Sequence, residues 1–534
     1  MEINRRLFTL GLGSAVAWPA LGGLTTAAYA QSPVMGGTLR IILSEPVGLV
    51  SAVSSQGPIA QISPKIFDGL VEYDLDMNPQ PQMATSVEMS DDAQTMTVVL
   101  REGLTWHDGE PITSADVAFS AMEVWSQFHP RGRSTYAALT EVETPDELTA
   151  IFKFSKPSAF VMNALNASEA QVVPKHIYEG TDILTNPNNL APVGSGPFKF
   201  VEWQQGEYIL LEKNENYWKE DEPYLDQIVV LLIADSASRA IAFEAQEVEA
   251  AGAIPVSLAD ARRLEELPFI EIPESGYEAY GNNNFMEVNV RREYLADPKV
   301  RQAILHALDR EAMVKNVYFE FGKVATGPVP STISTYYTAD VPTYEFDTEK
   351  AISLLEEAGF TPDGSGVRLN LTLDPLPYGP IYPTVAASIK QQLAVVGIEV
   401  TIRSADAATY YQRVYGEGND FDLTITGASA LTDPTIGVQR FFWSKNIIAG
   451  VPFSNASGYA DPEMDEILES AAAEPDPAKR IELFHKFQVK AATDLPILPI
   501  NDMPYFAVKN TRLQNSEVSP YGFGGSFSTA YLAE

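Results

Sequence analysis

The chain has 534 residues, no cysteine, and 71 acidic against 36 basic residues, a formal net charge of −35. Such a balance makes nucleic acid and anionic membrane surfaces poor partners, and the missing thiols exclude a disulfide framework and a cysteine nucleophile. The length points to roughly three domains rather than one core. The acidic excess has two readings: it draws cationic solutes, or it is a generally acidic, salt-tolerant surface, since the charges are dispersed rather than in blocks.

In chain order, the first feature is the pair Arg5–Arg6 ahead of a mildly apolar stretch from Leu10 to Ala28. Gly11, Gly13, Pro19, Gly22 and Gly23 interrupt it, so neither a structural helix nor a membrane span is expected there. Ala28–Tyr29–Ala30 supplies the small residues a signal peptidase reads, which makes residues 1–30 a cleaved export signal. The arginine pair resembles a twin-arginine signal, with Asn4 and Thr9 departing from the commonest residues; the general export route is the alternative. Further on, Thr95–Leu100 reads as one side of a sheet, and Asp108–Gly109 as a tight turn needing positive φ. Thr113 and Asp116, three apart, form a capping box at the start of a helix.

The C-terminal half carries the clearest periodicity. Asp347 caps a helix with Ala351, Leu354, Leu355 and Ala358 on one face, stopped by Gly359 and Pro362. Val367, Leu369, Leu371 and Leu373 alternate as a strand. A second helix follows, with Val385, Ile389, Leu393 and Val396 inward and Gly397 as its stop. Ile398, Val400 and Ile402 alternate again, as do Phe421, Leu423 and Ile425. Strands alternating with helices mean βαβ units in an open α/β sheet, whose ligands sit outside the carboxyl ends of the strands.

Enzyme signatures are missing. No GxSxG, Walker-type, HExxH or GxGxxG fingerprint occurs, and no cofactor is expected. Gly194–Ser195–Gly196 lacks the nucleophile-elbow spacing, and Pro197 would interrupt the helix such an elbow opens, so it reads as a turn. His107, His129, His176, His306 and His485 are scattered without metal-ligand spacing. Asp91–Asp92 and Glu356–Glu357 read as solvated faces. The enzyme reading that survives is an envelope hydrolase, or another enzyme, using an unrecognised carboxylate pair.

Four blocks in order carry a resemblance. They are Ile66–Asp74 (IFDGLVEYD), the segment TMTVVLREGLTWHDGEPITSADV, then GSGPFKF with YILLEKNENYW, and Asn289–Asp309, which includes DPKVRQAILHALD. Together they resemble the large peptide- and nickel-type extracytoplasmic solute-binding proteins of ABC importers, bacterial family 5. The resemblance implies an α/β, two-lobe periplasmic binding protein fold with an extra domain inserted in the first lobe. Carried onto this chain, the first lobe spans about 31–68, 193–281 and 496–534, the inserted domain 69–192, and the second lobe 282–495. It also implies a soluble monomer, held in the periplasm without a lipid-modified cysteine. That monomer closes on a peptide or other small polar solute and delivers it to a permease and its ATPase.

Candidate ligand contacts lie where the second lobe's strands end and where the chain crosses between lobes. Tyr280, Asn282 and Asn283 precede the lobe boundary, with an Asn-rich surface turn as the plainer reading. Tyr378 and Tyr382 follow the strand Val367–Leu373 in a Pro-rich loop. Ser429 and Asp433 belong to the loop Gly427–Asp433, where the family places ligand contacts, and Trp443 follows it. Dipeptide-binding members hold the ligand's amino terminus with an aspartate and its carboxylate with an arginine. Those places fall here near Ser429–Ala430 and Tyr378–Gly379, which can neutralise neither group, so free dipeptides are expected to bind weakly. Asp433 is the substitute for the first anchor.

Overall fold

The computed structural model describes residues 33–273, 275–377 and 381–533; the export signal expected at 1–30 lies outside them. Three sheets organise the chain. A seven-stranded sheet runs in the order Ile270–Glu271, Val508–Asn510, Ala250–Ala251, Thr38–Leu43, Gln227–Leu232, Tyr208–Lys213, Phe198–Gln204. A six-stranded sheet runs Lys323–Val324, Ile497–Pro504, Gly281–Val288, Leu423–Ser429, Leu369–Pro375, Ile398–Ile402. A four-stranded antiparallel sheet is formed by Ala84–Met89, Thr95–Leu100, Thr149–Phe154 and Leu139–Glu143. The chain passes from the first large sheet to the second at Gly281 and returns between Pro504 and Val508.

The periodic C-terminal half folds as its pattern dictates. Asp347 accepts from the Lys350 N–H at 2.8 Å and opens the helix Thr348–Glu357, which buries Ala351, Leu354 and Leu355. Gly359 closes it with φ +91°, a conformation that favours a residue without Cβ. The strand after it spans Leu369–Pro375, two residues later than the alternation places it, and is parallel to both Ile398–Ile402 and Leu423–Ser429. The helix Ile381–Val395 crosses over and buries Val385, Ile389 and Leu393 against the sheet, each contributing roughly 1.5–3 kcal/mol of transfer free energy.

The central strand Gly281–Val288 is the exception to local reading. Three consecutive asparagines are poor strand formers, yet they pair with Leu423–Ser429 on one side and Ile497–Pro504 on the other. The Asn-rich segment is therefore a buried strand and not a surface turn. Successive side chains point to opposite faces, Met286 and Val288 into one core and Phe285 into another.

Three of the four sequence blocks converge on one junction beside the first large sheet. The Ile66 carbonyl accepts from the backbone N–H groups of Ser195 (3.1 Å) and Gly196 (2.8 Å), and the Asp68 N–H donates to Ser195 Oγ at 3.0 Å. Asp68 is buried, and its carboxylate accepts from Gln82 Nε2, Tyr217 OH and Trp218 Nε1 at 2.8–3.0 Å. His107 docks the WHDG turn on the same loop. Its N–H donates to the Gly194 carbonyl (2.8 Å), and its Nδ1 accepts from the Gly194 N–H (3.2 Å). Nε2 is left to donate to the Gly196 carbonyl at 3.0 Å. Burial holds this imidazole down to about 4, in keeping with the neutral ring that pattern needs. The turn itself carries Gly109 at φ +92°, and Asp116 Oδ2 accepts from the Thr113 N–H at 2.9 Å to close the capping box.

A Cβ at Gly194 would lie 2.0 Å from the Ile66 carbonyl oxygen. Gly194→Ala is therefore expected to destabilise the protein by about 3 kcal/mol or more, through forced separation of the two backbones. Urea unfolding of the purified variant measures it; a loss under about 1 kcal/mol would show the junction to be compliant.

Candidate functional site

The main candidate is a cavity of about 410 Å³ at the carboxyl ends of the parallel strands Leu369–Pro375 and Leu423–Ser429. Leu376, Gly427, Ala428 and Ser429 come from those strand ends, and Tyr382, Leu431 and Arg440 from the elements that follow. The seven-stranded side contributes the start of the helix Gly57–Ile66 and four tyrosines, Tyr277, Tyr280, Tyr505 and Tyr521. Its volume falls within the roughly 300–1,000 Å³ of small-molecule sites.

The tyrosines pack on one another. Tyr280 stacks on Tyr505 with centroids 5.9 Å apart and meets Tyr521 edge-on at 5.5 Å. Burial raises all four phenols above their ordinary value, so they remain protonated. The Tyr277 hydroxyl is spent on the backbone N–H groups of Ala253 and Phe523 at 3.1 and 3.3 Å. Rigid aromatic area with polar edges suits a solute that is partly apolar and partly polar.

The four-stranded unit reaches the six-stranded side beside the cavity. Asn163 Nδ2 donates to Asp433 Oδ2 at 2.8 Å, the Thr432 hydroxyl donates to the Asn163 carbonyl, and Ala164 packs with Leu431 and Ile436. Arg131 comes from the same unit. It lines the cavity and pairs with the buried Glu169, Nε to Oε2 at 2.7 Å.

Of the residues singled out by sequence, Tyr280, Tyr382 and Ser429 come together at the cavity wall. Asn282 faces Ser429 in the strand pairing, and Tyr378 lies outside the described residues. Asn283 is buried, its amide donating to the Gly327 carbonyl at 2.5 Å. Asp433 is not at the wall. It is fully buried, forked by both Nη atoms of Arg480 and accepting from the Thr435 N–H (2.8 Å), so its oxygens are committed within the protein. Trp443 points elsewhere and donates to Glu469 Oε1 at 2.9 Å. Sequence reading missed Tyr277, Tyr505, Tyr521, Arg131 and Arg440. Tyr505, directly after the strand Ile497–Pro504, was open to the strand-end argument; the arginines carry no local signal.

Beneath this wall Glu287 lies fully buried on the same strand face as Phe285. Burial pushes its carboxyl up to about 8, outweighing the backbone N–H groups of Ser457 and Ala456 and the guanidiniums of Arg440 and Arg291. No ion pair to it forms among the described residues.

Residues 78–449 match the profile of the bacterial extracellular solute-binding proteins, family 5. The oligopeptide-binding protein AppA of Bacillus subtilis is 29% identical over 483 residues, covering 88% of this chain and 86% of that one. The glutathione-binding protein GsiB of Pectobacterium atrosepticum is 27% identical, with 90% and 91% covered. The crystal structure of the ABC transporter substrate-binding protein CtaP from Listeria monocytogenes superposes with a TM-score of 0.81 at 26% identity, covering 94% of this chain and all of that one. The chain belongs to the bacterial extracellular solute-binding proteins, family 5. It has their α/β, two-lobe fold with an extra domain in the first lobe, and it serves as a solute-binding component of an ABC importer.

The buried Glu287 carboxyl makes stability depend on pH. The folded state keeps its proton where the unfolded chain, with an ordinary carboxyl, has released it. Stability is thereby lost as pH rises from about 4.5 to about 8. Glu287→Gln is expected to flatten that slope, raising the melting temperature near pH 8 relative to the parent while changing little near pH 5. Thermal unfolding across that window checks it, and parallel curves for the two proteins would show that Glu287 does not hold the proton.

Proposed function

We propose that the chain captures a peptide or another small polar solute in this cavity and hands it unchanged to a membrane permease and its ATPase. The observation that carries the reading is the wall itself, assembled from strand ends of one large sheet and tyrosines packed with the core of the other, so that a bound solute touches both sides. The relatives named for oligopeptide and glutathione binding favour a ligand with peptide groups. Tyr280, Tyr382 and Ser429 are the contacts we assign to it. The strand Ile497–Pro504, expected in the first lobe, pairs in the six-stranded sheet, so we move the boundaries and assign residues 34–68, 193–280 and 505–534 to the first lobe, 69–192 to the inserted domain and 281–504 to the second. The mature protein works as a monomer in the periplasm, after removal of residues 1–30.

A receptor is stabilised stoichiometrically by its solute and returns it intact. At a free concentration of about 100 Kd the gain is about 2.7 kcal/mol. Calorimetry with recovery of the bound compound by mass spectrometry measures both. A stabilising compound that disappears on incubation would establish turnover instead, and with it an enzyme.

Export is assigned to the twin-arginine route. Arg5→Lys with Arg6→Lys is then expected to leave uncleaved precursor in the cytoplasm, seen by fractionation and immunoblotting. Normal periplasmic yield from the double variant would assign the general route and leave the receptor reading untouched.

A further inference from the structure

Charge at the cavity wall runs opposite to charge on the molecule. The chain carries 71 acidic and 36 basic residues, yet among the described residues the only charged side chains lining the cavity are two arginines, Arg131 and Arg440, and no aspartate or glutamate lines it. Resting on the reading of this cavity as the solute site, we infer that the solute is an anion, or carries an anionic group such as a carboxylate, which the Arg440 guanidinium receives.

The two arginines are not equivalent. Arg131 is already neutralised by its fork to Glu169. Arg440 has no carboxylate within ion-pair distance among the described residues; it lies over the rings of Phe441 and Phe453, 4.8 and 5.7 Å from their centroids. Its Nε is enclosed and has no hydrogen-bond acceptor among the described residues. Burial, and then the facing Arg131, lower its proton affinity, to about 10, so it stays charged at neutral pH. Glu287 is within electrostatic reach but holds its own proton at neutral pH and cancels little of that charge. A guanidinium with an unfilled donor, walled by aromatic rings and without a carboxylate partner, is a binding point for a planar or tetrahedral oxyanion. The acidic exterior does not set the solute's sign, because fields from surface charges decay over about 8 Å at physiological salt.

Pools of tri- and tetrapeptides made as free acids and as C-terminal amides, titrated calorimetrically into the full-length mature protein, provide the test. A sugar pair, galacturonate and galactose, runs alongside. Within whichever pair binds, the acid is expected to bind at least about tenfold more tightly. Arg440→Met should bring that ratio to near one, while Arg440→Lys retains part of it; melting curves confirm that both variants fold. Equal affinity of acid and neutral partner in the parent would overturn the inference and leave the receptor reading standing. A preference that survives Arg440→Met would overturn the assignment to Arg440. If no acid of any pair binds at millimolar concentration, the inference fails. If the sugar pair alone binds, with the acid preferred, the peptide ligand fails and the anion stands.

Discussion

One backbone contact orders much of this molecule: the Ile66 carbonyl receives two N–H groups from a loop that can approach it only because Gly194 and Gly196 have no side chains. Around it, Asp68 gathers an amide, a phenol and an indole, and the WHDG turn closes on the loop through both nitrogens of one neutral imidazole. The junction clamps the four-stranded unit to the seven-stranded sheet. From there that unit extends Arg131 and Asn163 to the far side of the cavity, one as a wall residue and the other as a contact to Thr432 and Asp433. The three motifs that meet at this junction are thus scaffold rather than binding chemistry.

The cavity inherits its character from how buried charges are settled. Asp433 and Glu169 are each forked by an arginine, Arg480 and Arg131, which satisfies the carboxylates and removes them as ligand contacts. Arg440 has no such partner among the described residues, and Glu287 resolves its burial by staying protonated. The result is a site whose polarity differs from that of the exterior a few residues away.

Local chemistry was legible wherever it decides the outcome alone. The helix beginning at Asp347, its stop at Gly359, the turn at Gly109 and the parallel strands around the helix Ile381–Val395 follow from caps, positive φ and periodicity. The rule that ligands meet strand ends led to Ser429 and Tyr382. Asn282 to Asn284 escaped it, because pairing with two neighbouring strands outweighs poor propensity. Asp433 looked available in sequence; the arginine that occupies it stands 47 residues further on. Arg131 and Arg440 meet only through topology, which no window of sequence contains.

The seven-stranded sheet is made from both ends of the chain. Thr38–Leu43 is joined through Ala250–Ala251 to Val508–Asn510, and the buried Lys65 ammonium donates to the carbonyls of Phe523 and Gly525 at 2.7 and 3.0 Å. Lys65 and these acceptors stand 458 and 460 residues apart, so neither segment is satisfied until the whole stretch between them has been made. Until then Lys65 lacks its acceptors, and the strand at Ala250 exposes an unpaired edge. Folding of the earlier segment waits for the later one, so the lobe that begins first in the chain matures late.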